Sequence, residues 1–269
     1  MNDLDQASEA IEREALISLH RHCPESTRDE LGLFLEEVGD ALVAGASNDP
    51  SILLNRSLGL GTRSEVRRES IEEIDALYLQ RGVGRYFLHV YPETLADGPA
   101  VFEGTRLVPA RGWMKFQRAA EAPLVRETEL EIRRVESVAE GGADFGRIVA
   151  GAFGMTAAAG PLLAGLVHDP RWHVFVSYEG DQAAGAGALM IDSGVGWLEW
   201  GATDPAFRRR GSQGAIMRAR IEAARAANCT AMFTETGEAS GDDPQHSYGN
   251  IQRYGFRESI LRQNWAPDS

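Results

Sequence analysis

The sequence predicts an α/β protein on a mixed α+β sheet, mostly antiparallel, arranged as two related halves. Three observations carry this. Stretches with apolar residues at helical spacing alternate along the 269 residues with short runs rich in β-branched and aromatic residues. Three such runs in succession, "WHVFVSYEG", "QAAGAGALMID" and "GWLEWGATD", are joined only by Gly/Asp turns, the pattern of consecutive antiparallel strands. Residues 52–92 and 197–237 also share the order strand, loop, helix, strand, a repeat of pattern rather than of letters.

In chain order, residues 7–22 predict a helix, with Ile11, Ala15 and Leu16 on one face and Leu19 a turn further. "LGLFLEEVGDALVAGA" and "SILLNRSLGLG" read as strands about the turn "SNDP". Ser70, with Glu73 three residues on, predicts a capped helix start, Ile71, Ile74 and Leu77 supply the periodicity, and Gly82 ends it. "RYFLHVYP" and "GWMKFQRA" read as strands. The polar stretch 119–129 is the predicted linker, which gives an N-terminal domain at 1–125 and a C-terminal domain at 126–269. There "LEIRRVE" predicts a strand, and "ADFGRIVAGAFG" and "AAAGPLLAGLVHD" predict helices ahead of the three antiparallel strands. A helix follows at about 212, with Ile216, Ala219, Ala223 and Ala227 toward the core and Arg218, Glu222 and Arg225 outward. "TAMFTETG" and "ILRQNW" are the last strands.

Composition narrows the partners. The formal net charge of −13 disfavours nucleic acid and anionic membrane and favours a cationic or neutral partner. Cys23 and Cys229, the only two cysteines, make neither a disulfide framework nor a metal cluster. The acidic, amphipathic start lacks the features of a signal peptide, and no run approaches the roughly 18 apolar residues of a membrane span. A cytoplasmic monomer or homodimer without a metal is expected.

Against that acidic background, "DPAFRRRGSQGAI" gathers Arg208, Arg209 and Arg210 before Gly211 and a helix start. A strand end, a basic glycine turn and a helix form a physical recipe for an anion site. The first backbone N–H groups of a helix lack partners, and the helix dipole adds positive potential there. Gly211 permits close backbone approach, Gly214 leaves the first turn bare, and arginines reach oxygens the backbone does not hold. A nucleotide or another phosphorylated ligand would suit such a turn, and so would plain solvation.

This run, in this order of elements, resembles the GNAT superfamily of acyl-CoA-dependent N-acyltransferases. Their signature is Arg/Gln-x-x-Gly-x-Gly/Ala between the fourth strand and the third helix. Arg208 and Gly211 match, while Gln213 replaces the last Gly/Ala and leaves Gly214 one residue late. "SYGNIQRYGFRESILRQNW" is similar to the family's closing segment, a short helix ending in Gly-Phe before the last strand. The resemblance covers about residues 129–269. It implies tandem GNAT-like halves, each a twisted sheet flanked by helices, with the acetyl-CoA site in the second. It also implies a gap between the fourth and fifth strands of that half for the pantetheine arm. Backbone groups of Ala202 and Thr203 would bind the acyl-pantetheine portion. The N–H groups from Arg209 through Gly211, Ser212, Gln213 and Gly214 to Ala215 would cradle the pyrophosphate, and Asn250 would meet a pantetheine amide. The first half has no such match at "GLGTRSEVRRES", where Glu65 and Glu69 would repel phosphate.

The resemblance further implies direct transfer of an acetyl group from acetyl-CoA, as co-substrate, to a primary amine of a small molecule or peptide. That chemistry needs a base for the amine, polarisation of the carbonyl and a destination for the thiolate. Glu235 matches the family's base glutamate, and Glu199 is a second candidate. The usual acid, a tyrosine four residues before the Gly-Phe glycine, is Ile251 here. Tyr248 is the candidate substitute, Tyr254 reads as core, and His246 is a loop histidine with acid or base chemistry to offer. The absent tyrosine and Gln213 leave an alternative function, a non-catalytic acyl-CoA-binding sensor or interaction module.

Overall fold

In the computed structural model, which describes residues 1–96, 98–241 and 246–268, the first half runs as follows. It comprises α1 (Asp3–Arg21), α2 (Glu25–Leu31), β1 (Leu33–Val38), β2 (Ala41–Ala46), β3 (Arg56–Leu58), α3 (Arg68–Gln80), β4 (Phe87–Val90) and β5 (Leu107–Arg118). Residues 119–129 have no regular structure. The second half comprises β6 (Glu131–Val135), α4 (Ala143–Ala152), α5 (Ala159–Ala164), β7 (Trp172–Glu179), β8 (Gln182–Asp192), β9 (Val195–Thr203), α6 (Ser212–Ala226), β10 (Ala231–Gly237), α7 (His246–Arg253) and β11 (Arg257–Pro267).

The sequence repeat is a repeat of topology. Strand β3, helix α3 and strand β4 form a parallel pair with a helical crossover, and β9, α6 and β10 do the same in the second half. The sheets of the two halves are continuous. The 11 strands of the described residues form one sheet in the order β1-β2-β3-β4-β11-β5-β10-β9-β8-β7-β6. The halves exchange their last strands: β5 lies antiparallel to β10, and β11 lies antiparallel to β4. Pairing of β5 with β11 closes the seam.

The central strand β8 is buried on both faces, and successive side chains face different cores. Ala188 and Met190 of β8 face a core with residues of α1, α4 and α5, while Leu189 faces a core under α6 and α7. A third core lies between α3 and strands β1, β2 and β4. Among the described residues no helix is long and apolar enough to cross a membrane.

Several local expectations need correction. "LGLFLEEVGDALVAGA" is a hairpin, turned by Gly39 at φ +60° and Asp40. Helix α3 starts two residues before Ser70, with Arg67 at its N-cap and no side-chain cap, so Ser70 lies inside the helix. Helix α6 is rotated by one residue. Ile216, Met217, Arg220, Ile221 and Ala224 are buried, Ala219 and Ala223 are half-buried and Ala227 is exposed. Met217 and Ile221 carry more apolar area than the alanines they displace from the core face, and burying the larger area decides the rotation.

Candidate active site

Strands β9 and β10 pair only through Val195–Trp197 and Ala231–Phe233, and beyond that point each continues without the other. Thr234 Oγ1 donates to the Leu198 carbonyl at 2.8 Å and ties the base of the gap. Beside the gap the register of β9 against β8 slips between Ala186 and Ala188, and Trp200 takes φ +58°. That conformation is strained for a bulky side chain and marks a backbone bulge. A cavity of about 460 Å³ occupies the gap and reaches both sheet faces. Gln213, Met217, Arg220, Ser247 and Ile251 line it on the α6/α7 side; Arg56, Trp113, Phe153, Glu199, Trp200 and Glu235 line it on the α1 side.

The α1-side floor is a buried charge cluster. Four neighbouring strands each contribute one residue: Arg262 from β11, Lys115 from β5, Glu235 from β10 and Glu199 from β9. Arg56 of β3 and Glu9 and Glu12 of α1 complete it. Arg262 grips Glu12 with both nitrogens, at 2.8 and 3.0 Å, and also contacts Glu235. Lys115 Nζ is 2.7 Å from Glu12 and 3.0 Å from Glu9. Arg56 bridges the two candidate bases, 2.7 Å from Glu199 and 3.3 Å from Glu235. Trp197 Nε1 donates to Glu199 at 3.1 Å.

Four carboxyls thus face three cations, and the cluster is neutral when one carboxyl keeps a proton. Burial raises the Glu235 carboxyl to about 7, with help from the Glu12 charge and against Arg262 and Arg56. Burial also raises Glu199, against Arg56. Glu12 is desolvated too, but Arg262, Lys115 and Arg56 outweigh that and hold it well below the usual carboxylate range.

At the other end, Gly211 sits at φ +88° as the N-cap of α6 and no side chain caps the helix. Its first intrahelical bond is Ala215 N–H to the Gly211 carbonyl at 3.0 Å, so the N–H groups of Ser212, Gln213 and Gly214 have no intrahelical acceptor. The Ser212 hydroxyl turns inward and shares a 2.7 Å bond with Ser177. Arg208 and Arg209 are exposed, whereas Arg210 pairs with Glu179 and lies 5.8 Å over the Phe207 ring. A Cβ on Gly214 would stand 2.6 Å from the Tyr254 hydroxyl. In the first half the corresponding turn is filled internally. Asp40 Oδ2 accepts from the N–H groups of Arg63 and Ser64, at 3.1 and 3.2 Å.

The structure brings Glu235, Glu199 and Gln213 to one cavity, near Ala202 and Thr203 at the end of β9. Tyr248 does not line the cavity. Its ring packs edge-on against Phe116 at 4.8 Å, and burial, with a bond to Glu258, pushes its hydroxyl up to about 12. Tyr254 is core, His246 is exposed, and Ile251 lines the cavity. Asn250 Oδ1 accepts from Arg253 at 3.2 Å, while its buried Nδ2 has no partner among the described residues. Sequence reasoning missed Glu9, Glu12, Arg56, Lys115, Arg220 and Arg262. The available signal was a charge inside an apolar pattern: Glu12 lies in the Ile11–Leu16 stripe and Lys115 between Trp113 and Phe116.

Comparisons with known proteins fit this geometry. A model of the acetyltransferase (GNAT) family matches residues 155–248. No curated protein matches the chain. Its structure is similar to a GCN5-related N-acetyltransferase from Kribbella flavida, 13% identical with a TM-score of 0.60, covering 97% of this chain and 96% of that one. It is similar to another from Sphaerobacter thermophilus, 14% identical at a TM-score of 0.60, covering 89% and 83%. A tandem GNAT protein from the clavulanic acid biosynthesis pathway is 12% identical at a TM-score of 0.56, covering 85% and 79%. At these identities the likeness is one of fold. The acetyltransferase (GNAT) family model therefore matches residues 155–248 within a fold similar to that of solved GNAT proteins, a tandem one among them.

Proposed function

We propose that the protein transfers an acyl group, acetyl in the first instance, from acyl-CoA directly to a primary amine. The observation that carries this is Glu235, a carboxyl with a pKa raised to about 7 that lines a cavity through the β9/β10 gap. A base of that strength takes a proton from an ammonium acceptor near neutral pH without being protonated most of the time. The uncapped N–H groups of Ser212–Gly214, with Arg208 and Arg209, hold the pyrophosphate; the backbone of Ala202 and Thr203 and the unpartnered Asn250 amide hold the pantetheine arm. Residues 126–269 form the coenzyme-binding half, and residues 1–125 a degenerate half that supplies Arg56 and the α1 carboxylates to the acceptor side. Asp40, which holds the loop N–H groups of Arg63 and Ser64, disfavours phosphate in that half. The acceptor is cationic or neutral, drawn by a chain of net charge −13.

The bulge amides of β9 polarise the carbonyl. Glu235 takes the amine proton as nitrogen attacks, and the C–S bond then breaks. Ile251 favours a second reading, binding of acyl-CoA without turnover, because the usual proton donor is absent. Calorimetry with acetyl-CoA, followed by release of free thiol across a panel of amines, separates the two. Binding with turnover of at least one amine is expected. Gly211→Asp, which adds a carboxylate where the pyrophosphate lies, is expected to abolish binding. Normal binding by correctly folded Gly211→Asp protein would overturn the cradle, and binding without turnover would establish the second reading.

A further inference from the structure

Arg220 is a buried cation with no anion. It is 3% exposed in the middle of α6, and no carboxylate among the described residues pairs with it. Burial alone lowers its pKa, to about 10, so it stays charged at neutral pH. Nη1 donates to the carbonyls of Ala188 and Glu199, at 3.3 and 3.1 Å, and Nε reaches the Ile216 carbonyl at 3.4 Å. Among the described residues Nη2 has only the weak Met217 sulfur acceptor at 3.8 Å. That nitrogen abuts the bulge: a Cβ built on Gly201 would lie 3.4 Å from it. Arg220 lines the cavity on the same wall as Ile251.

Tying two carbonyls together needs donors, and a neutral amide would supply them without burying a charge. An unpaired charge in such a place is expensive unless something anionic meets it. Charged groups on the packed elements are engaged elsewhere. The Glu199 carboxylate turns to Arg56 on the opposite face, Glu179 of β7 pairs with Arg210, and Asp192 of β8 pairs with Arg171. On β6, Glu131 and Arg133 pair with each other, and Arg134 pairs with Glu136. His173 and Tyr178 of β7 are not carboxylates, and the other charges lining the cavity, Arg56, Arg85 and Glu235, belong to its α1 side or mouth.

We infer that Arg220 is a catalytic residue that holds the departing sulfur as a thiolate, in place of the missing proton donor. This rests on the acyl-transfer reading of the same cavity. Glu235 takes one proton from the ammonium, which frees the nitrogen lone pair to form the new C–N bond; Glu235 hands that proton to solvent and then takes the second nitrogen proton from the tetrahedral adduct. The C–S bond breaks with its electron pair on sulfur, where the guanidinium meets it. The thiolate takes its proton from water once released, and no donor at residue 251 is required.

The test titrates the thiol of CoA on the intact protein, from the ultraviolet difference between its complexes with CoA and with desulfo-CoA as pH is varied. The bound thiol is expected to ionise about one to three units below free CoA in the same buffer. Arg220→Gln should abolish that depression, Arg220→Lys should keep much of it, and Arg220→Gln should lower kcat about 100-fold with little change in acetyl-CoA affinity. A wild-type thiol that ionises at or above the free value overturns the inference, and this measurement needs no variant to fold. Unchanged kcat in Arg220→Gln also overturns it. A depressed thiol in a protein that acetylates no amine would uphold the thiolate site and sink the transfer reading, whereas absence of CoA binding would sink both.

Discussion

Glu12 and Glu235 draw opposite consequences from the same surroundings. Both are desolvated, but Glu12 is gripped by Arg262 and Lys115 and stays ionised, while Glu235 feels the Glu12 charge and keeps its proton to about 7. As the proposed base, Glu235 acts deprotonated, so kcat/KM for the amine should fall as pH drops through about 7 and level off above it. Glu235→Gln should lower turnover, remove that limb and leave acetyl-CoA affinity nearly intact; a pH–rate profile with the wild-type limb retained would exclude Glu235 as the base. Glu12→Gln removes a charge that raises the Glu235 pKa, so the midpoint should move to lower pH. The same change strands cations in the interior and should lower stability by about 3–5 kcal/mol, read by chemical denaturation. Glu235 and Glu199 were legible in the sequence through strand position and family motif. Their partners were not, because ion pairs among residues 12, 56, 115, 235 and 262 exist only once the sheet is assembled.

At the scale of elements, three antiparallel strands, the α6 crossover and the closing α7–β11 segment were readable from periodicity and turn residues. The register of α6 was not. Its alanine stripe is a plausible core face by spacing, and only the volume demanded by neighbouring strands shows that Met217 and Ile221 go inward and bring Arg220 with them. Helices α4 and α5 make a second point about contact. Gly146 and Gly160 let their backbones meet, and a Cβ on Gly146 would stand 2.1 Å from the Gly160 carbonyl. Backbone cannot swing aside as a side chain does. Gly146→Ala should therefore destabilise by about 1–3 kcal/mol despite its better helix propensity, measured as a lowered midpoint in urea. A midpoint equal to or above wild type would show that the two helices separate freely. Because α4 leads into Phe153 and Gly154 at the cavity, KM for the amine should rise more than KM for acetyl-CoA in this variant.

The whole molecule is interlocked by the strand exchange, which no local pattern announces: "GWMKFQRA" reads as a strand whichever sheet partner it takes. Residues 126–269 made alone would lack β5, leaving β10 and β11 without the strand that lies between them. Exposed, unsatisfied strand edges promote association between chains. The fragment would also lose Glu9, Glu12, Arg56 and Lys115, leaving Arg262 as the one cluster cation beside Glu235 and Glu199. It would lose the α1 side chains that fill the core against α4 and α5 as well. We therefore expect the fragment 126–269 to aggregate or remain unfolded and to bind no acetyl-CoA, although it contains every residue of the proposed pyrophosphate turn. Co-expression with 1–125 should restore both solubility and binding, and the intact chain should unfold in one cooperative transition by calorimetry. A soluble 126–269 fragment with native-like circular dichroism and wild-type affinity for acetyl-CoA would show that the second half folds on its own, and the exchanged strand would then be packing rather than structure the site depends on.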